Sequence, residues 1–93
     1  MKYDIILTTA FKRELKVIKK RKKDLDKLTE VVNKLASGHE LDTKYRDHAL
    51  ANTLRFKDCR ECHIEPDWLL VYKINKNELT LFLIETGTHS DFF

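Results

Sequence analysis

The chain has 93 residues, of which 42% are hydrophobic and 35% are charged, with two glycines and one proline. This length fits a single domain over residues 1–93 with one compact core, and the composition excludes disordered and collagen-like chains. No apolar run approaches the roughly 18 residues that span a bilayer, and the N-terminus lacks the pattern of a secretory signal. We therefore expect a cytoplasmic protein that does not bind membranes.

The net charge of +3 is unevenly distributed along the chain. Residues 1–46 hold thirteen Lys and Arg against seven Asp and Glu, whereas the second half of the chain is acidic. Five basic residues follow one another from Lys19 to Lys23. Such a run is either a solvated helix face or a surface that binds backbone phosphates without reading sequence, and its density favours the second. The candidate phosphate-binding residues are Lys19, Lys20 and Lys22.

The first half of the chain predicts one strand and two helices. Alternation over residues 2–7 predicts the strand, after which Thr8 or Thr9 offers a hydroxyl as a helix N-cap. A second helix begins after Asp24, and Gly38 suits a left-handed helix exit. The apolar stripes that define the two helices are Phe11, Leu15 and Ile18, and then Leu25, Leu28, Val31, Val32 and Leu35. Such helices form a hairpin that packs on a sheet.

The second half of the chain predicts a strand meander after a loop over residues 39–46. The predicted strands cover residues 54–57, 60–65, 68–74 and 79–84, with turns at 57–59, Pro66–Asp67 and 75–78. The strand over 68–74 is apolar on both faces, as in a central strand. We predict an α+β fold in which the N-terminal strand and the helical hairpin pack on a mainly antiparallel sheet of about four strands.

Strand parity assigns the residues around His63 to two faces. It places Arg60, Cys62 and Ile64 on one face and Glu61, His63 and Glu65 on the other. Cys59 and Cys62 are three residues apart, so on a strand they would point to opposite faces. Two cysteines alone do not complete a zinc site, and we expect two reduced thiols and no bound metal.

Four side chains at segment ends are candidates for proton transfer. His48 precedes a predicted strand, Asp67 lies in a turn, and His89 follows the last strand, close to Gly87, which permits a sharp bend. Any one of the histidines, including His63, is more often an ordinary surface residue than a catalyst. Together, imidazoles and a carboxylate suit proton transfer at a phosphodiester without a metal or other cofactor.

Three segments, YRDHAL, RECHIEPDWLLVY and TGTHSDFF, resemble the YafQ branch of the RelE/ParE superfamily of bacterial toxins. The resemblance implies a RelE-like fold and the activity of a type II toxin, a ribosome-dependent endoribonuclease that cleaves messenger RNA. It also implies a cognate antitoxin as partner, with the ribosome and messenger RNA as the other partners. The site residues that it implies are catalytic His48, His63, Asp67 and His89, with Trp68 and Phe93 contacting RNA.

The reaction that the resemblance implies is attack by a ribose 2′-hydroxyl on the adjacent phosphate. The products are a 2′,3′-cyclic phosphate and a free 5′-hydroxyl. His48 or His63 would act as general base and His89 as general acid, while Asp67 would orient an imidazole. The sequence leaves open which imidazole is the base.

Glu85 departs from the pattern, because members of the family place arginine directly before the T-G-T-H segment. Loss of one stabilising contact to the transition state costs about 3–4 kcal/mol, so Glu85 either marks a weakened enzyme or points away from the RNA. Our hypothesis is that Glu85→Arg raises cleavage. Parity argues against Arg60 as a substitute cation. The alternative function is a RelE-fold module that acts by ribosome occupancy or as an antitoxin-bound repressor complex. A third function, a gyrase-directed toxin of the ParE type, is disfavoured because it would not use the three histidines.

Overall fold

The computed structural model describes residues 1–92, which form one five-stranded sheet with two helices against one face. The elements are β1 (Asp4–Leu7), α1 (Thr9–Lys20), α2 (Leu25–Ala36), a 3-10 turn (Thr43–Tyr45), β2 (His48–Ala49), β3 (Arg60–Glu65), β4 (Trp68–Asn75), β5 (Thr80–Gly87) and α3 (His89–Phe92). The strands lie in the order β1-β5-β4-β3-β2. Only the β1–β5 pair among them is parallel. The α+β prediction is confirmed, with one strand more than expected.

The helix ends follow the predicted capping residues. The Thr8 hydroxyl accepts a hydrogen bond from Phe11 N at 3.0 Å, and the Asp24 carboxylate accepts one from Asp26 N at 3.0 Å. Gly38 follows α2 with φ +80°, in the left-handed region that favours glycine. The helical hairpin is therefore specified locally by the chain.

Helix α1 replaces β1 as the neighbour of the second half of β5. The Thr8 hydroxyl donates to the Ile84 carbonyl at 2.6 Å, and the Thr86 backbone N–H donates to Glu14 at 3.2 Å. A helix side chain thus satisfies a strand N–H that would otherwise lie at an open sheet edge.

The main core lies between the helices and the sheet. Trp68, Leu70 and Tyr72 of β4 point into it, whereas Leu69 and Val71 point to the opposite face, as parity predicts. All five side chains are almost completely buried. The sheet is therefore covered on both sides of its central strand.

A second, smaller core covers the opposite sheet face. It is formed by Phe56, Cys59, Leu69, Val71 and Phe92. The loop over residues 50–59 supplies two of these residues, and α3 supplies one. This small core leaves the neighbouring part of the same face, on β2 and β3, available for a site.

The predicted strand over residues 54–57 is wrong, because this segment is part of the loop. Local hydrogen bonds replace the pairing of a strand there, with Thr53 N donating to the Phe56 carbonyl at 2.8 Å and Phe56 N donating to the Thr53 hydroxyl at 3.0 Å. Leu54 is fully exposed, and Asp58 has a φ of +55° that no strand residue adopts. The apolar residues of the segment over 54–57 therefore do not belong to a half-buried strand.

Both cysteines are free thiols on opposite sides of the sheet, as predicted. Cys62 lies in the main core and Cys59 in the second core. Burial raises the pKa of Cys62 to about 12 and also raises that of Cys59. Both groups are therefore protonated and unreactive near neutral pH. Within residues 1–92, no helix is long and apolar enough to cross a membrane.

Candidate active site on the open sheet face

Three histidines form a row on the sheet face opposite the helical hairpin. The ring centroids of His48 and His63 are 6.4 Å apart, and those of His63 and His89 are 5.8 Å apart. They belong to β2, β3 and α3, so the tertiary fold brings three distant segments together. His48 and His89 are about half exposed, whereas only 11% of the His63 side chain is exposed. The row is thus open to a ligand at both ends.

Backbone carbonyls fix the orientation of two of these rings. Nδ1 of His48 lies 2.7 Å from the Arg46 carbonyl oxygen, and Nδ1 of His63 lies 3.1 Å from that of Pro66. A carbonyl only accepts hydrogen bonds, so each Nδ1 carries the proton and donates it. In each ring, Nε2 is therefore the atom that is left to gain or lose a proton.

Both Nε2 atoms face Glu61, a residue that the sequence did not single out as a site residue. Its Oε1 lies 3.5 Å from Nε2 of His48 and 3.8 Å from Nε2 of His63. Glu61 is only 3% exposed, and its Oε2 has no hydrogen-bond partner among the described residues. A buried, incompletely satisfied carboxylate is costly, and such groups are concentrated at functional sites.

Pairing between strands explains this arrangement. His48 of β2 is directly opposite Glu61 of β3, and His63 follows Glu61 by two residues and so shares its face. Parity had already placed Glu61 beside His63. The missing information was the two-residue strand β2, which is too short to show a periodic pattern.

The third histidine is held by a small network at the start of α3. Asp91 accepts hydrogen bonds from the Thr88 backbone N–H at 2.8 Å and from Arg21 at 3.2 Å. These two donors hold the pKa of Asp91 below its ordinary value. A Cβ on Gly87 would lie only 2.6 Å from Asp91 Oδ2, so glycine here makes room for this carboxylate. The bend predicted at this glycine is wrong, because Gly87 is the last residue of β5 and has no positive φ, and the chain enters α3 only after it.

Asp67 lies beside His89 at an ion-pair distance that is too long for a hydrogen bond. Its Oδ1 is 3.7 Å from His89 Nδ1, and its side chain is 74% exposed. The sequence-predicted residues His48, His63, Asp67 and His89 are therefore brought together on one face.

Asp47 anchors the segment that carries His48 to the far side of the sheet. It accepts hydrogen bonds from the Tyr72 hydroxyl at 2.6 Å and from Arg60 Nε at 3.3 Å. Burial and the bond to Asp47 raise the pKa of Tyr72. Arg60 is engaged on the face opposite His63, in agreement with the parity argument.

A cleft lined by charges of both signs borders the row next to His63. Its volume is about 370 Å³, and its cationic lining residues are Lys27, Lys44 and Arg46. Glu65 lines the same cleft and bonds Lys27 at 2.9 Å. Glu30 lines the cleft as well, so two carboxylates partly offset its three cations.

Comparison with known proteins identifies the family. The family described as "Bacterial toxin of type II toxin-antitoxin system, YafQ" matches residues 3–93. The chain is 35% identical over 91 residues to "mRNA interferase toxin YafQ" of Escherichia coli strain B / BL21-DE3, covering 97% of this chain and 95% of that protein. The chain belongs to the YafQ family.

Solved structures of similar toxins share the fold. The structure described as "metal-bound toxin from Helicobacter pylori" has a TM-score of 0.90 at 46% identity, over 98% of this chain and 99% of that one. The "E.coli DinJ-YafQ complex" gives 0.87 at 35% identity, over 98% of each chain. The RelE-like fold prediction is thus confirmed.

The Helicobacter pylori toxin structure is described as metal-bound, which bears on our expectation of no metal. Within residues 1–92 of this chain, no group of three or more His, Cys, Asp and Glu side chains is arranged to hold an ion. The described side chains therefore do not fit a resident metal, and we derive no step through one.

Trp68 corrects the YafQ-based prediction that it contacts RNA. The residue is completely buried in the main core, and its indole N–H donates to the Thr86 hydroxyl at 2.9 Å. It cannot stack on a base without unfolding of the core. The other predicted aromatic contact, Phe93, lies outside the described residues. The predicted phosphate-binding residues Lys19, Lys20 and Lys22 are all exposed.

Glu65 also departs from the predicted parity. The β3–β4 register shifts between His63 and Glu65, and the Glu65 carboxylate bonds Lys23 at 3.1 Å in addition to Lys27. A bulge inserts an extra residue and reverses the following alternation. This side chain consequently joins the helical hairpin instead of the histidine row.

Glu85 is the position at which this YafQ-family chain was expected to carry an uncompensated negative charge. Both of its carboxylate oxygens lie 2.7 Å from Nη2 of Arg55, and the carboxylate is only 9% exposed. The charge of Glu85 is therefore neutralised within the protein. No sequence pattern indicates this pair, because Arg55 comes from an irregular loop.

Proposed function

We propose that this chain is the toxin of a type II toxin–antitoxin pair and an endoribonuclease that cleaves messenger RNA on the ribosome, in the cytoplasm. The observation that carries the proposal is the row of three imidazoles, two of which face the buried Glu61 carboxylate. Its members lie in the segments that resemble the family, and the relatives in Escherichia coli are named mRNA interferases. Side chains that exchange protons are what cleavage by an RNA 2′-hydroxyl requires.

The proposed reaction uses two imidazoles in opposite protonation states. Nε2 of His48 or His63, when it carries no proton, takes the proton of the 2′-hydroxyl as the oxygen attacks phosphorus. Glu61 lies within reach of either Nε2 and stabilises the imidazolium that forms. His89, beside Asp67, gives a proton to the 5′-oxygen as its bond to phosphorus breaks. The products are a 2′,3′-cyclic phosphate and a 5′-hydroxyl.

We propose that Lys19, Lys20 and Lys22 form the ribosome-docking patch. Arg21 lies within the same run, and its bond to Asp91 connects the end of α1 to the helix that carries His89. The patch is therefore close to the proposed cleavage site. Exposed lysines at that position can bind ribosomal RNA phosphates while the sheet face receives the message.

A cognate antitoxin is the remaining proposed partner. The support comes from the solved complexes of relatives with DinJ, one at a TM-score of 0.87 and another at 0.86. Because this chain has the same fold over nearly its whole length, we propose that a protein encoded with it binds and inhibits it.

Cleavage of translated messages is the direct test. Purified protein added to programmed ribosomes should produce discrete cuts, mapped by primer extension, that end in a 2′,3′-cyclic phosphate. His89→Ala should abolish the cuts, whereas His39→Ala, a change of an exposed histidine outside the row, should leave them intact. Growth arrest that persists in His89→Ala without cuts would instead support ribosome occupancy.

Docking is tested by charge reversal. The triple variant with Lys19, Lys20 and Lys22 changed to Glu should bind ribosomes more weakly than the wild type. The difference in affinity between the two proteins should decrease as the salt concentration is raised. A variant with Lys2 and Lys76 changed to Glu serves as control, since neither residue lies in the patch. Equal binding by the patch variant and the wild type would exclude this role.

A further inference from the structure

We propose that Arg55 is the arginine that binds an RNA phosphate at this site, and that Glu85 is the residue that positions it. The inference rests on the proposed function and names a substrate contact within it. It comes from a pair that joins an irregular loop to the sheet beside the histidines.

The position of the pair places it on the face of the site. Glu85 of β5 is directly opposite Val71 of β4, and Val71 is directly opposite Glu61 of β3. Directly opposed residues share a face, so Glu85 lies in the same cross-strand row as Glu61, two strands or about 10 Å away. Arg55 Nη1 also donates to the Phe92 carbonyl at 3.3 Å, in the helix that begins with His89.

The pair has its cation outward and its anion beneath. Glu85 is 9% exposed, whereas 48% of the Arg55 side chain is exposed. A carboxylate buried to this extent requires a partner, and it holds the guanidinium from below. The outer side of the cation faces solvent, where a phosphate can approach.

The guanidinium is also held by two aromatic rings. Its central carbon lies 5.2 Å from the centroid of Phe56 and 5.8 Å from that of Phe92. Phe56 and Phe92 are both buried in the second core. Stacking and hydrogen bonds together restrict the side chain before a ligand binds, as electrostatic stabilisation of a phosphate requires.

The loop that carries Arg55 is itself anchored to the sheet. Leu50 N donates to the Cys59 carbonyl at 2.9 Å, which closes the loop at its base. Asp58 N donates to the Asn52 side chain at 3.0 Å. The site thus obtains a fixed cation from outside the strands.

Two roles for Arg55 must be separated, since it could either bind substrate or only neutralise Glu85. The single change Arg55→Gln removes the cation and leaves a buried, unpaired carboxylate, so loss of activity could reflect either role. The double change Arg55→Gln with Glu85→Gln removes both charges, so no unpaired carboxylate remains buried. If neutralisation were the only role, the double variant would cleave normally.

The experiment measures single-turnover cleavage on programmed ribosomes, together with melting temperature and binding of a 2′-O-methyl RNA that cannot be cleaved. We expect Arg55→Gln to slow cleavage by about 10²- to 10³-fold. The double variant should recover the melting temperature of the wild type but cleave as slowly as Arg55→Gln. The slope of log affinity against log salt concentration for its RNA binding should be smaller by about 0.7, as expected for the loss of one phosphate contact. Lys76→Gln, in the β4–β5 turn, is the control for loss of one positive charge.

Cleavage by the double variant within threefold of the wild type would overturn the proposal and leave the endoribonuclease function intact. Absence of cleavage by the wild type would instead count against the proposed function. In that case the binding of the 2′-O-methyl RNA still tests the role of Arg55. If the double variant binds this RNA with the affinity and salt dependence of the wild type, Arg55 does not contact a phosphate.

Discussion

Oε1 of Glu61 lies 3.5 Å from Nε2 of His48, across a strand pair only two residues long. The carboxylate is buried, and its second oxygen has no hydrogen-bond partner among the described residues. Burying the Glu61 carboxylate without a full set of hydrogen bonds destabilises the folded protein, so we expect this residue to contribute to activity more than to stability.

Glu61→Gln is therefore expected to lower the single-turnover cleavage rate by about 10²-fold, because the neutral amide stabilises an imidazolium far less. The same change should raise the free energy of unfolding by about 1 kcal/mol, since it removes a buried charge. Urea unfolding and cleavage on programmed ribosomes measure the two effects. Glu40→Gln, at an exposed position, should alter neither quantity, and equal cleavage by Glu61→Gln and the wild type would contradict this role.

The backbone contacts of His48 and His63 predict how amide replacements behave. Asn can keep the hydrogen bond that Nδ1 donates to the carbonyl, whereas Gln can place an amide nitrogen close to the position of Nε2. Neither amide exchanges a proton near neutral pH, so Asn and Gln should both abolish cleavage at whichever position is the general base. The other position should tolerate one of them with a smaller loss. Rate measurements on the four single variants assign the base, and full activity in all four would exclude both imidazoles from proton transfer.

The sequence predicted the parts of this site that follow from strand alternation and from the order of the segments. It did not predict the contacts that form only when distant segments pack together. Alternation placed His63 and Glu61 on one face, and the order of segments placed His48 and His89 at strand ends. The Glu61–His48 contact depends on a strand too short to have a period, and the Arg55–Glu85 pair depends on a loop without one. The RNA contact assigned to Trp68 came from the family resemblance alone, whereas the apolar strand pattern over residues 68–74 predicted the buried position that the structure shows.

Gly87→Ala should damage cleavage more than stability. The new Cβ would lie 2.6 Å from Asp91 Oδ2, so the carboxylate must move away from Thr88 N, and we expect the loss of this contact to loosen the start of α3, where His89 lies. A displacement of about 1 Å at a catalytic group can cost about 10²-fold in rate.

Gly38→Ala is a matched control for Gly87→Ala. Its positive φ makes alanine strained at a position remote from the histidines, so stability should fall by about 1 kcal/mol with cleavage retained. Paired unfolding curves and cleavage rates test the contrast, and a Gly87→Ala protein with normal cleavage would contradict the placement of His89 by Asp91.

Glu14 predicts a component of the pH dependence of stability. Burial, and then the nearby negative charge of Glu85, raise the pKa of this carboxyl from 4.5 to about 7, although the Thr86 N–H and Arg55 oppose the shift. Between these two values the folded protein retains a proton that the unfolded chain has lost. The free energy of unfolding should therefore decrease as pH rises from about 4.5 to 7 and should lose nothing more from this group above pH 7.

Glu14→Gln tests this sign, because the amide oxygen can still accept the hydrogen bond from Thr86 N. The variant should match the wild type near pH 4 and be more stable at pH 8, by about 1–2 kcal/mol after solvent screening. Urea unfolding from pH 4 to 8 measures the difference, with Glu40→Gln as the control. Parallel curves for Glu14→Gln and the wild type would show that this carboxyl ionises at the same pH in the folded and unfolded chains.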